Sequence, residues 1–193
     1  MIPRNLAITI VILLAALGAM GLYGLHLRRQ AVDLLKSSAN NKPVAPPVSG
    51  PTSQITVYVP DDDRGTLVPR QVAAALPSEP TLRAREVLHV LIAQCQEKDS
   101  THPIGNNADV KEVFLVDDGK TAVVDVNAAF ADEHRSGIMV EELSVAALAR
   151  TLGANVGGVQ QMKLLVEGRE RETLAGHANL MDLYPTNLDW KAN

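Results

Sequence analysis

Among 193 residues there is one cysteine, Cys95. A single thiol excludes an internal disulfide and any Cys-rich zinc site. Aromatic side chains are scarce at 3%, so a core must rest on Val, Leu, Ile and Ala. The same scarcity disfavours stacking on carbohydrate rings, because only Tyr58, Phe114, Phe130, Tyr184 and Trp190 lie beyond the first thirty residues. Excess positive charge is also missing: 18 Lys and Arg face 22 Asp and Glu, for a net charge of −4. A nucleic-acid partner needs clustered Lys and Arg against its phosphates, so none is expected. The chain contains no HExxH, no GxSxG and no phosphate-cradling glycine loop; the stretch Gly153 to Gly158 is followed by neither a helix pattern nor a lysine.

Charge is absent from one long run, Leu6 to Leu27, interrupted only by mild polar residues such as Thr9 and His26. As a helix rising 1.5 Å per residue it would reach about 33 Å, enough for a hydrocarbon core of about 30 Å. Arg4 precedes it, and Arg28 and Arg29 end it. The expectation is an uncleaved single-pass anchor within residues 1–29, holding the chain to a cell membrane. The alternative is a cleaved signal peptide built on Ile8 to Leu17, with Ala16-Leu17-Gly18 as the processing site and a secreted product. Charge alone does not orient the anchor, since both flanks are basic. An amino-terminal anchor before a linker resembles an uncleaved signal, which places the following domain outside the cytoplasm.

Residues 30–53 read as a tether. Within them SSANNKPVAPPVSGPTS is dominated by Ser, Pro, Asn and Gly, too little apolar surface to offset the entropy of ordering. A folded domain is expected over residues 54–184, and a tail over 185–193.

Inside the domain, Ile55 to Val59 alternates with period two and reads as a strand, and Thr66 to about Val72 as a second, confined by Pro69 to an edge or a bulge. Ser78 is the expected N-cap of a helix with Glu79 and Pro80 in its first turn. Its stripe Ala84, Val87, Leu88, Leu91, Ile92 and Cys95 follows helical spacing and puts the thiol on the buried face. Val110 to Val116 and Lys120 to Val126 form a hairpin about Asp117-Asp118-Gly119. Ile138 to Ala154 is a second helix, apolar over a wide arc. A last hairpin is expected from Val159 to Glu167, turning at Gly168-Arg169 and returning through Glu170 to Leu174. The order ββ-α-ββ-α-ββ gives an α+β fold: a mixed or antiparallel sheet with two helices on one face and water on the other.

Three groups of residues invite a chemical reading. Asp61-Asp62-Asp63 lacks the Gly and Glu spacing of a calcium loop and reads as a solvated turn. Asp132-Glu133-His134, with His102 and His177 elsewhere, shows no nucleophile or metal spacing. Asp125, in the strand VVDVN, reads as a structural acid that bonds nearby backbone. His177 after Gly176 reads as a turn residue. No catalytic, metal-binding or cofactor-binding residue is assigned, and no cofactor is expected.

The order of these pieces resembles the GerMN domain family, named after a protein of spore formation and germination. The resemblance rests on strand Ile55–Val59, the helix bearing Ala84, Leu88 and Leu91, the Asp-Gly hairpin leading to VVDVN and Phe130, Ala149-Arg150-Thr151-Leu152, VEG, and TLAGH at 173–177. It spans Ile55 to Leu183 as a single copy. It implies an extracytoplasmic, non-catalytic domain on a membrane anchor that acts by packing against copies of itself or other envelope proteins. The chain departs from relatives that carry a lipid-accepting cysteine or two copies. The expected function is a protein–protein interaction or assembly module; the alternative is a binding domain for a cell-wall fragment or small molecule. A hydrolase using Asp132 and His134 is a third reading.

Overall fold

The computed structural model describes residues 51–187. The Leu6 to Leu27 run and most of the tail lie outside them. Among the described residues no helix is long and apolar enough to cross a membrane.

The observed order is β1 (Thr52–Asp61), β2 (Thr66–Ala75), α1 (Pro80–Cys95), β3 (Val110–Val116), β4 (Thr121–Val126), α2 (Ala128–Asp132), α3 (Ile138–Asn155), β5 (Gln161–Val166) and β6 (Tyr184–Pro185). The fold is α+β, but the strands form two sheets: an antiparallel pair β1-β2, and a four-stranded sheet ordered β3-β4-β5-β6. The core joins both. Ile55, Val57 and Val59 of β1 meet the α1 stripe, the buried arc of α3, and Val113, Val124, Met162 and Leu164 of the larger sheet. All six residues of the α1 stripe are buried. Its cap is Glu79 rather than Ser78: the carboxylate accepts from the amides of Thr81 and Leu82 at 2.9 and 2.6 Å. Those amides are otherwise orphaned at a helix start, and a charged acceptor suits them.

A single continuous sheet is prevented at β1. Its outer edge is occupied by side chains of α3: Thr151 Oγ1 accepts from the Tyr58 amide at 3.0 Å, and Asn155 both accepts from the Thr56 amide at 3.1 Å and donates to the Thr56 carbonyl at 2.7 Å. A helix thus supplies the partners that a neighbouring strand would have given. Since Thr56 and Tyr58 turn their backbone groups to α3, Ile55, Val57 and Val59 turn theirs to β2, opposite Val72, Arg70 and Val68. Leu67, Pro69 and Gln71 of β2 therefore point outward, and the proline places its missing N–H on that edge.

The β3-β4 hairpin forms as expected, with Asp117, Asp118 and Gly119 all at positive φ (52°, 55° and 81°). Beyond it the larger sheet is mixed, one of the two expected forms: β5 runs parallel to β4, because α2 and α3 carry the chain back to the starting end of β4. Helix α2, capped by the Asn127 side chain on the Phe130 amide at 3.0 Å, is absent from the sequence reading. The expected return strand Glu170 to Leu174 does not form. Glu167 and Gly168 turn at positive φ, one bridge joins Val166 to Arg169, and the chain then leaves β5. Leu174 is drawn into the core at 0% exposure, and the amides beyond it find a carboxylate instead of a ladder. The other side of β5 is taken by β6 at its first two residues.

Candidate functional site

Polar residues interrupt the buried arc of α3 at Glu141, Ser144 and Thr151. Two of them, Ser144 and Glu141, each gather several polar groups from distant loops.

Ser144 lies at the centre of a four-residue chain of contacts. Asp62, at the tip of the β1-β2 hairpin, meets His102 Nδ1 at 2.6 Å. His102 Nε2 meets Ser144 Oγ at 2.6 Å. From the other side His134 Nε2 reaches the same Oγ at 2.6 Å, while its Nδ1 meets the Arg135 carbonyl at 2.8 Å. Arg135 closes the loop with an ion pair to the second oxygen of Asp62. His102 is 1% exposed, and Phe130 lies beside the His134 ring, with centroids 6.1 Å apart.

Counting protons shows how the chain is wired. His102 donates from Nδ1 to Asp62, so its Nε2 accepts the Ser144 hydroxyl proton. His134 donates from Nδ1 to the Arg135 carbonyl, which leaves its Nε2 without a proton against Ser144 Oγ. With both rings neutral the set is one proton short, and an imidazolium at His134 would complete it. Burial opposes that charge. It pushes both imidazoles below their ordinary 6.5, against the pull of Asp62 on His102 and of the Arg135 carbonyl on His134.

Asp62, His102 and Ser144 have the order of an acid–imidazole–hydroxyl relay. Three features set it apart from a working one. Ser144 sits in the second turn of α3, where neighbouring amides are spent on the helix and cannot stabilise an oxyanion. The second imidazole covers the hydroxyl from the other side. The adjoining cavity, lined by Pro60, Leu91, Cys95, Phe130 and Leu148 among others, leaves about 10 Å³ for the centre of a water molecule, at the lower limit for holding one. The relay ties the hairpin tip, the α1-β3 loop and the α2-α3 loop to one helix.

Glu141, one turn earlier and fully buried, ties down the segment after β5. Its Oε2 accepts from the amides of Ala175, His177 and Ala178 at 2.9, 2.8 and 3.0 Å. Its Oε1 accepts from the Gly137 amide at 3.1 Å and from His177 Nδ1 at 2.9 Å. Burial favours the neutral acid, but these donors, the His177 ring first, outweigh it and hold the carboxyl down at about 2.

Of the residues singled out in the sequence, the structure brings together His102, His134 and Asp62. His177 is elsewhere, on Glu141. Asp132 faces Arg171 at 2.7 Å, apart from the relay. The solvated turn expected of Asp61-Asp62-Asp63 holds only at Asp63: Asp61 is buried and accepts from the Arg64 amide at 3.0 Å, and Asp62 is half-buried in the relay. Asp125 accepts from the Gly168 amide at 2.6 Å, the backbone role expected of it. Cys95 is buried and its thiol is pushed up to about 12 by that burial. No group of three or more metal-ligating side chains occurs among the described residues. Sequence reasoning missed Ser144 and Glu141. The available signal was their spacing, i and i+3 on an arc that is otherwise apolar.

Comparison with known proteins bears on the fold and the family. The tandem GerMN domains of the sporulation protein GerM from Bacillus subtilis superpose with a TM-score of 0.51 at 19% identity, covering 67% of this chain and 44% of that one. The first GerMN domain of the same protein gives 0.50 at 19% identity, covering 66% of this chain and 92% of that one. The chain thus spans less than half of the tandem structure. At such identity the likeness is one of fold. No curated protein matches the sequence. Residues 56–172 match the Germane family, described as sporulation and spore germination. With that match running from β1 past β5, through all three helices and the polar centre on α3, the chain belongs to the Germane family and carries one GerMN-like domain.

Proposed function

We propose that this chain is a membrane-tethered, extracytoplasmic GerMN-type module of a bacterial envelope that works by binding other proteins, not by catalysis, in a process linked to sporulation or germination. The observation that carries the reading is the closure of the polar centre. Ser144, the buried hydroxyl placed against the His102–Asp62 pair, is covered by His134 and opens on space for about one water. A substrate, or a ligand the size of a wall fragment, has no room there. The surface is where this fold has something to offer, and the Leu6 to Leu27 run with its Pro-rich tether supports a position at the membrane.

Two measurements test this on the full chain. In intact cells, crosslinking should recover the chain bound to protein; recovery of monomer alone would sink the reading. A fluorophosphonate probe should leave Ser144 unlabelled in the native protein. Labelling that disappears in Ser144→Ala would instead establish a nucleophile.

A further inference from the structure

The strand edges of the two sheets are treated unequally. The outer edge of β1 is filled by Thr151 and Asn155. That of β2 turns Pro69 outward. On the far side of the larger sheet β6 is only two residues long. Each is a recognised way of blunting an edge. The remaining edge, β3, has none of these devices along 113–116.

The parity of β4 defines what β3 presents. The carbonyls of Lys120 and Val126 accept from Gln160, Gln161 and Glu167 on the β5 side, so Thr121, Val123 and Asp125 turn to β3, opposite Val116, Phe114 and Glu112. The backbone groups of Val113 and Leu115 therefore point away from the sheet. The α1 helix reaches this edge only at its start, where His89 meets the Val110 carbonyl at 2.8 Å and Arg85 pairs with Glu112 at 3.1 Å. Beside the open groups, Phe114 stands 52% exposed and Val116 40%, although the chain has only two phenylalanines.

The geometry points to a second copy of this chain as the occupant of the β3 edge, paired antiparallel about a two-fold axis through Phe114. That register sets Val113 opposite Leu115 of the other copy, both with outward backbone groups, and repeats the pair across the axis. It brings the two Phe114 side chains together on one sheet face, and joins two four-stranded sheets into one. It also places Asp117 opposite Lys111, beside the 2.7 Å ion pair that Lys111 makes with Glu167, whereas a parallel copy would set Asp117 against Asp117. This inference rests on the assembly reading above and names its surface. The contact is short, and confinement of both copies to one membrane supplies the effective concentration it needs.

The register is tested by disulfide trapping in the full chain, in membranes, where native Cys95 is buried and silent. Phe114 faces itself at a site where backbones approach to about 4.5 Å between Cα atoms, within disulfide reach. On mild oxidation Phe114→Cys should give a species of doubled mass that reduction abolishes. Val116→Cys alone should not, but mixed with Glu112→Cys it should. Adding Leu115→Pro, which removes an outward N–H, should abolish trapping while Cys95 stays protected from thiol reagents, the sign that the fold survives. Lys98→Cys, exposed and remote from the edge, is the control for random collision. Equal trapping at Lys98 and Phe114, or none at Phe114, overturns the β3 pairing. If native crosslinking still recovers oligomers or partners, the assembly reading survives that failure. Trapping of Phe114→Cys to a different protein overturns self-pairing alone, and monomer in every experiment overturns both.

Discussion

Single side chains carry much of the interior order, and Glu141 most of all. Its carboxylate replaces a strand as the acceptor for three backbone amides between 175 and 178. Glu141→Gln puts an amide N–H against donors, and should cost about 2–4 kcal/mol in urea unfolding. Acid should act in two stages. The buried imidazoles of His102 and His134 titrate below 6.5 when folded, so the unfolded chain takes protons first and stability falls as pH drops through 6.5. Glu141 is lowered from 4.5 to about 2; its contribution is complete above 4.5 and is lost as pH falls from there toward 2. Thermal unfolding across pH 3–8 should show both declines (about five pH units suffice to separate groups so far apart), and His102→Gln should shrink only the upper one. The sequence betrayed His102, His134 and Asp62 as residues but not as neighbours. They are 32 to 72 positions apart on different loops, and only the packing of α3 brings them together. Cys95 was legible because a helical stripe fixes its face before anything else is known.

Elements were legible wherever their reason is local. The alternation of β1, the stripe of α1 and the Asp-Gly turn each depend on neighbours within a few residues. What failed or stayed open is non-local. Nothing between 170 and 174 reveals that a carboxylate about 30 residues earlier will outcompete β5 for the backbone beyond it, and the choice between a mixed and an antiparallel sheet is decided by a crossover. The edge of β1 gives a direct test. Asn155→Ala removes both bonds to Thr56 and one to the Thr151 carbonyl, and should lower stability by about 2 kcal/mol. At Gly153 a Cβ would stand 2.8 Å from the Thr186 carbonyl oxygen. Gly153→Ala, which in a free helix gains about 1 kcal/mol, should therefore destabilise here, and amide exchange should show Thr186, bonded to Gln160 at 2.9 Å, losing protection first.

At the scale of the molecule, one core spans both sheets, so the hairpin β1-β2 is no appendage. It is held by apolar packing, by the α3 side chains on its edge and by Asp62 at its tip. Unfolding of the domain should then be a single transition seen alike by circular dichroism and by exposure of Cys95 to a thiol reagent; two separated transitions would mean that the hairpin opens alone. Fold class and family were accessible from the order of elements, since that order survives sequence change. The partition into two sheets was not, because it depends on which edge a helix happens to fill.

The distance in sequence between Glu141 and its donors also orders events in time. The carboxylate is made 34 to 37 residues before the amides that satisfy it. A chain delivered from its amino terminus has α3 in place while Glu141 still lacks four of its five donors, and an unpaired buried carboxylate is among the costliest states a core can hold. α3 can pack firmly against its neighbours only once residues through Ala178 have emerged. The domain is thereby proofread by its own end: a chain cut short before that loop keeps its helices but cannot close, and is left to proteases as an open form.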